Sequence, residues 1–255
     1  MTSRYTVYAY YNPPHMQTME EHVELALQVF SEEDPLVRFG TTLTPAFYVL
    51  LKLGLLMHDF GKVLFKPSRR EGLSFTGHEV VSGWMTYRLL EGFETSGKIL
   101  RKLGLSGGQS QRGALVLAVL LHHHPMSYTY RLEKLQRQKR KLTRDHVKAF
   151  AESVAKPAAK HLSLSGAELE ELLLEALGSS EVESAEICSA VESIYGNLLK
   201  NVWLLGTPTS RRLFLLLLQG LVAADYRASQ TRGSSTPRSR FARAVEVFLE
   251  HYSHR

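Results

Sequence analysis

The residues of this chain best suited to metal or acid–base chemistry stand inside its most apolar stretches. His22 lies in "MEEHVELALQVF", His58 and Asp59 in "LLMHDFGKVLF", and His78 in "FTGHEVVSGW". The run His122-His123-His124 lies in "VLLHHHPM", and Asp225 in "GLVAADYRAS". An imidazole or a carboxylate gains nothing from burial unless it is paired or bound to a metal. Together these groups are the ligands that suit Mn, Fe, Co, Ni or Zn, with Mg accepted where carboxylate and water dominate. A lone helical histidine is more often an ordinary core or surface residue, and Asp225 alone could pair with a nearby arginine. The information is in the set.

Spacing adds a geometric condition. Adjacent residues of a helix point about 100° apart, so His58 and Asp59 cannot both face one ion unless the helix ends there. Gly61 is the expected ending. His122-His123 just before Pro125 repeats the arrangement. Lys62 follows His58-Asp59 by three and four residues and shares their face if the turn continues. It suits two roles equally on spacing: neutralising charge on a metal-bound phosphate, or complementing the helix C-terminal dipole.

The elements that must carry these residues read almost entirely as helix. Residues 4–11, "RYTVYAYY", alternate loosely and meet Asn12-Pro13-Pro14, which predicts a short extended arm or strand before a turn. Its tyrosines and Trp84 could stack on bases, although core packing is the commoner role. Thr18 is the expected N-cap of a helix over 19–30. A loop is expected from Asp34-Pro35 through Gly40 to Pro45, then a helix from about Pro45 to Asp59. Thr76-Gly77-His78-Glu79 opens a third helix. A glycine-rich loop precedes a fourth over 112–124, stopped by Pro125. A basic helix over 131–150, acidic helices near 166–177 and 181–200, and an apolar helix over 209–228 follow. An Arg/Ser-rich segment over 229–240 is expected to be mobile, and a last helix spans 241–252. The expected class is all-α, one domain over 1–255, with 131–200 as a candidate peripheral insert.

Composition, with 44% hydrophobic and 22% charged residues, is that of an ordinary globular protein. The longest apolar runs fall short of the roughly 20 residues that span a bilayer. No basic region followed by an apolar one opens the chain, so a secretory signal is not expected and a cytoplasmic protein is. The single Cys188 excludes an internal disulfide and a multi-cysteine zinc cage. The net charge of +6 is unevenly placed: residues 131–148 hold eight Lys/Arg against Glu133 and Asp145, and 226–245 hold five arginines and no acid. Residues 151–200 carry nine Glu and three Lys. Either basic cluster alone could be a solvated face; two beside a candidate metal site favour a polyanionic partner.

The order His22, His58-Asp59, Lys62, His78, His122-His123, Asp225 resembles the HD superfamily of metal-dependent phosphohydrolases. Within it, the chain is most similar to the stand-alone HD nuclease of type I CRISPR interference. The resemblance covers roughly residues 1–230, with 131–200 matching by position and helicity. It implies an HD-domain helical bundle in which His22, His58, Asp59, His78, His122, His123 and Asp225 surround one or two divalent ions (Mn, Mg, Ni, Co or Fe), Asp59 bridging a pair. Members carry two adjacent histidines where this chain has three, so His122-His123 or His123-His124 is the ligand pair; alignment with the helix favours the first. His15 is an alternative to His22, disfavoured by its place beside Pro13-Pro14.

The implied activity is endo- or exonucleolytic cleavage of single-stranded DNA in antiviral defence, with Asp59 and Lys62 at the scissile phosphate. The implied partners are a CRISPR helicase and a guide-RNA surveillance complex, with no membrane. Arg137, Lys139, Arg140, Lys141 and Arg144 would line the strand's approach without reading bases. Two other functions share the ligands: an HD phosphodiesterase or nucleotidase acting on a small nucleotide or cyclic dinucleotide, and a non-catalytic nucleic-acid-binding subunit with a structural metal.

Overall fold

A computed structural model describes residues 6–67, 72–91, 95–105, 108–123, 127–178, 181–230 and 240–253. Those residues form an all-α bundle whose only sheets are two small antiparallel pairs. The chain opens with a hairpin, β1 (Tyr8–Asn12) on β2 (His15–Thr18), turning at a cis Pro13-Pro14 bond. It leads directly into α1 (Met19–Leu27). Thr18 caps α1 by a reciprocal bond with Glu21, which fixes the helix start and hence the position of His22.

The region expected as a loop after Asp34 is instead a helix, α2 (Pro35–Leu43). Pro35 sits at its first turn, where a missing N–H costs nothing and the fixed φ suits a helix. Next comes α3 (Phe47–Met57), then a 3₁₀ turn over Phe60–Leu64. α4 (His78–Glu91), α5 (Thr95–Lys102), which was not expected, and α6 (Gln109–Leu121) follow.

The basic segment is not one helix. α7 (Tyr128–Arg137) stops, Lys139 takes a left-handed φ of 47°, and β3 (Lys141–Thr143) forms before α8 (Arg144–Ser153). The cause is tertiary: β3 pairs with β4 (Glu181–Glu183), about 40 residues on, so a basic strand lies on an acidic one. Between them run α9 (Ala155–Leu162) and α10 (Gly166–Leu177). α11 (Ser184–Leu198), a π-helical turn over Leu199–Leu204, α12 (Pro208–Ser229) and α13 (Arg240–Tyr252) complete the fold. The segment expected to be mobile lies, from 231 to 239, outside the described residues.

α3, α4, α6 and α12 form the centre. Leu50, Leu51 and Leu53–Met57 of α3 are all buried, as is every residue of α6 from Gly113 to Leu121. A helix apolar on all sides must be surrounded by protein. The 131–200 segment is not separate from this core: Leu135, Val147, Phe150, Leu173 and Val191 continue it. No single helix among the described residues is long and apolar enough to cross a membrane.

Gly61 has a different role from the helix ending expected of it. α3 stops before it, at Met57, and a Cβ on Gly61 would run into the carbonyl oxygen of His78. Its N–H donates to Ser82 Oγ (2.9 Å), so the 3₁₀ turn and α4 meet backbone to backbone. Gly61→Ala is therefore expected to destabilise the protein by about 1–3 kcal/mol, the usual range for overpacking. Gly196→Ala, in α11 with nothing within 4 Å of the new methyl, is expected to stabilise by about 0.5–1 kcal/mol. Urea unfolding of both variants checks the contrast.

Candidate metal centre

Each candidate ligand stands at or near the end of a helix. His58 is the residue after α3, and Asp59, with φ −104° and ψ 6°, turns the chain into the 3₁₀ segment. Breaking the helix there lets two neighbours face one point. His122 and His123 follow α6 in the same way, their ring centroids 4.1 Å apart. His78 is the first residue of α4, and Asp225 lies in the second-last turn of α12. The helices bring these residues together as two groups: His22, His58, Asp59 and Asp225, and His78, His122 and His123. His15, the alternative first ligand, is exposed on β2, whereas His22 is wholly buried. His124 lies outside the described residues.

Asp59 joins the groups. Its Oδ2 is 3.3 Å from His22 Nε2 and 3.6 Å from His58 Nε2, while its Oδ1 is 2.9 Å from His78 Nε2. Asp225 Oδ1 closes the first group at 3.2 Å from His22 Nε2 and 3.9 Å from His58 Nε2. His123 Nε2 lies 3.3 Å from His78 Nε2 in the second.

The far side of each ring shows which nitrogen faces inward. His58 Nδ1 donates to the Leu55 carbonyl (2.8 Å), His78 Nδ1 to Phe75 (2.7 Å) and His122 Nδ1 to Val119 (2.7 Å). In every case the acceptor is three residues back. His22 Nδ1 donates to Gln17 Oε1 (3.1 Å), whose amide is turned by donating to the Ala228 carbonyl (2.9 Å). With Nδ1 spent as a donor, the Nε2 lone pair of each neutral ring points into the site, the arrangement that orients metal-binding histidines.

Those lone pairs and two carboxylates converge where there is little water. His22 Nε2 and His58 Nε2 are 3.3 Å apart, two acceptors face to face unless a cation lies among them. Among the described residues, His122 Nε2 is buried with no hydrogen-bond partner, and Asp59 Oδ1 is buried with only His78 Nε2 beside it, a state that calls for a missing group. Bonds of about 2.0–2.2 Å in a tetrahedral site place ligand atoms about 3.3–3.6 Å apart; in the first group the histidine nitrogens lie 3.2 to 3.9 Å from one another and from the carboxylate oxygens, and all four ligand atoms lie within 4.8 Å. The residues therefore fit a divalent cation, and the nitrogen and oxygen donors suit Mn, Fe, Co, Ni or Zn.

The local charges agree. Burial works against ionising Asp59, but Lys62, His58 and His78 hold its carboxyl well below the ordinary range. Asp225 is likewise kept low against burial by His22 and His58. Burial, aided by His58 and His78, pushes His122 down to about 4, and burial with His122 and His78 lowers His123 well below its usual value. Burial also lowers His22, whereas at His58 the two aspartates outweigh burial and raise the imidazole.

Lys62, expected at a phosphate or at the helix dipole, is buried instead, with Nζ 2.5 Å from Asp59 Oδ2 and 3.0 Å from the Ala9 carbonyl. Among the basic residues, Arg137 meets Glu133 at 3.3 Å, and Lys141 meets Glu181 at 2.7 Å and Glu183 at 3.6 Å. Arg140 donates to the Leu64 carbonyl and lies over the Phe65 ring. Lys139 and Arg144 are exposed. Arg131, counted in the basic run, is buried in a two-bond pair with Glu79, the neighbour of His78. The basic run is thus partly neutralised within the molecule.

Gln17, Ser82 and the Glu79–Arg131 pair support the site and were not anticipated. Nothing local marks them, since each acts on a residue distant in the fold or through its backbone.

Titration with Mn²⁺ or Ni²⁺ is expected to load two ions per chain and raise the unfolding temperature. Asp59→Ala should weaken both ions and His123→Ala only one. Gln17→Ala, which frees the His22 ring, should weaken binding about 10–100-fold with helix content unchanged. Calorimetric titration with circular dichroism measures all three. No protein-family model, curated protein or solved structure matches this chain.

Proposed function

We propose that this protein is a metal-dependent phosphohydrolase of the HD kind that cleaves phosphodiester bonds of single-stranded DNA. The observation that supports the reading best is the placement of Asp59, whose two oxygens face separate groups of inward-pointing imidazoles. When bound, divalent ions would supply charge stabilisation for a phosphoryl oxygen and an acidified water.

The chain's own residues hold that arrangement in place. His22, His58 and Asp225 would complete one side, and His78, His122 and His123 the other. Lys62 is a positioning residue: its ammonium keeps the Asp59 carboxylate ionised and turned inward, while the Ala9 carbonyl of β1 holds the ammonium. Asp225, with a side chain 18% exposed, and the half-buried His123 are the ligands nearest solvent, so substrate would approach across them. Water would add to phosphorus and one P–O ester bond would break, leaving a phosphomonoester and a hydroxyl end.

DNA is favoured over a small nucleotide by exposed cations on α12, which carries Asp225, and on its neighbour α13. Arg227, two residues beyond Asp225, is exposed, as are Arg240 and Arg243 on α13, which packs against α12. Lys139 and Arg144 are exposed as well. A helicase feeding the strand, together with a guide-RNA complex, is the partner set this reading entails, inside the cell.

Metal-stripped protein replenished with Mn²⁺ is expected to cut labelled single-stranded DNA, with Asp59→Asn lowering the rate by about 10³-fold or more. Turnover of a cyclic dinucleotide alone would move the function to a small-molecule phosphodiesterase. Turnover of neither, with DNA still bound, would make the protein a binding subunit. Separately, Arg227→Glu with Arg243→Glu is expected to weaken DNA binding and to flatten its salt dependence by about 0.7 per lost phosphate contact, sparing bis(p-nitrophenyl) phosphate hydrolysis. Filter binding across a salt series reads this out.

A further inference from the structure

α7 turns one side to solvent that the metal centre does not use. Tyr130, Lys134 and Arg137 recur at i, i+4 and i+7, so their side chains line one side of the helix. Tyr130 is 59% exposed, the most open aromatic residue among those described. Lys134 Nζ lies 5.9 Å from its ring centroid, within cation–π range. Arg137 meets the exposed Glu133 at 3.3 Å, and Lys134 leaves the stripe with a net positive charge.

The stripe is fixed to the site. Arg131, the next residue after Tyr130, turns to the buried side of α7 and makes two bonds to Glu79, the neighbour of His78. His123, Ser127, Tyr128 and Arg131 line one cavity, so α7 begins against a wall that His123 helps to form. Tyr130 follows Ser127 by three residues, about 4.5 Å along the helix axis. A strand that leaves the centre past His123 therefore meets the first turn of α7.

The chemistry of this face narrows its occupant. Besides Tyr130, the exposed residues of α7 are Thr129, Glu133, Gln136 and Arg137, all polar. The ring has none of the aliphatic surface around it that a protein groove or a lipid tail would cover. It offers a flat π-surface flanked by cations, the combination that holds a single strand with bases on rings and phosphates on cations. A duplex keeps its base faces stacked inside and has none to lend.

We propose that Tyr130 is a stacking platform for an unpaired base, with Lys134 and Arg137 on the adjoining phosphates. This rests on the phosphohydrolase reading above and gives that site its preference for single-stranded over duplex DNA.

Fluorescence anisotropy tests it, with the Mn²⁺-loaded protein and a short phosphorothioate strand, which resists cleavage, against an abasic strand of the same length and linkage. The strand with bases is expected to bind about 10-fold more tightly than the abasic one. Tyr130→Ala should bring the two within about 2-fold of each other and leave the salt dependence unchanged, and Tyr130→Trp should restore the difference. Lys134→Ala should weaken both strands and flatten the salt dependence by about 0.7. Because Tyr130 is exposed, circular dichroism and metal stoichiometry should stay as they are in its variants. Equal binding of the two strands, or a base preference that Tyr130→Ala leaves intact, would overturn the platform while leaving the hydrolase standing. Self-association of the chain that Tyr130→Ala abolishes, with strand binding unmoved, would make this face a protein contact and overturn it too. A base preference lost in Tyr130→Ala and regained in Tyr130→Trp, in a protein that hydrolyses no phosphodiester, would sink the hydrolase and keep the platform.

Discussion

Everything about this structure turns on an electrostatic problem: acceptors aimed at one another in a dry space. Nε2 lone pairs from several histidines and oxygens from two aspartates share a volume a few ångströms wide. In a low dielectric such a set repels itself, and only a positive charge makes it favourable. Among the described residues, Lys62 is the one lysine or arginine paired with a ligand carboxylate, and it reaches a single carboxylate oxygen, Asp59 Oδ2. The neighbouring carboxylates raise the His58 imidazole against its burial, the direction expected of acceptors short of positive charge.

The fold sharpens the problem. α3 and α6 direct their C-terminal ends at the site, and Asp225 lies near the C-terminal end of α12. Each helix end contributes about half a unit of negative charge. A carboxylate near a helix C-terminus is on the unfavourable side of that dipole. The C-terminal ends of α3 and α6 add to the two carboxylates, and the N-terminal ends of α1 and α4, which carry His22 and His78, offset part of that field. The carbonyls three residues before His58, His78 and His122 then fix how the rings turn. Helix geometry thus sets both the field and the orientation of the ligands.

The parts legible in the sequence were those encoded locally. Thr18 with Glu21 marks a helix start, and His58-Asp59 ends an apolar run, so the breaks at α1 and α3 follow from adjacent residues. Asp34-Pro35 carries the same kind of start signal, but the Gly-Thr-Thr within the segment has weak helix propensity, so its local sequence favours a loop where the fold has α2. The basic stretch fails for a different reason. Lys141–Thr143 becomes a strand because Glu181–Glu183 is there to pair with it, and helical periodicity holds no trace of that partner. Gln17 is likewise invisible: its importance comes from the Ala228 carbonyl, more than 200 residues along the chain.

His22 and Asp225 stand near opposite ends of the described fold, yet their side chains come to 3.2 Å. An ion gripped by both would act as a reversible cross-link closing a loop of about 200 residues, a contact that an unfolded chain forms at a large entropic cost. The first-strand hairpin, the central helices and α12 would then melt as one unit while the ion stays on. Depriving the protein of metal would loosen the ends before the middle, so its susceptibility to proteases at the two termini would report how well the centre is filled.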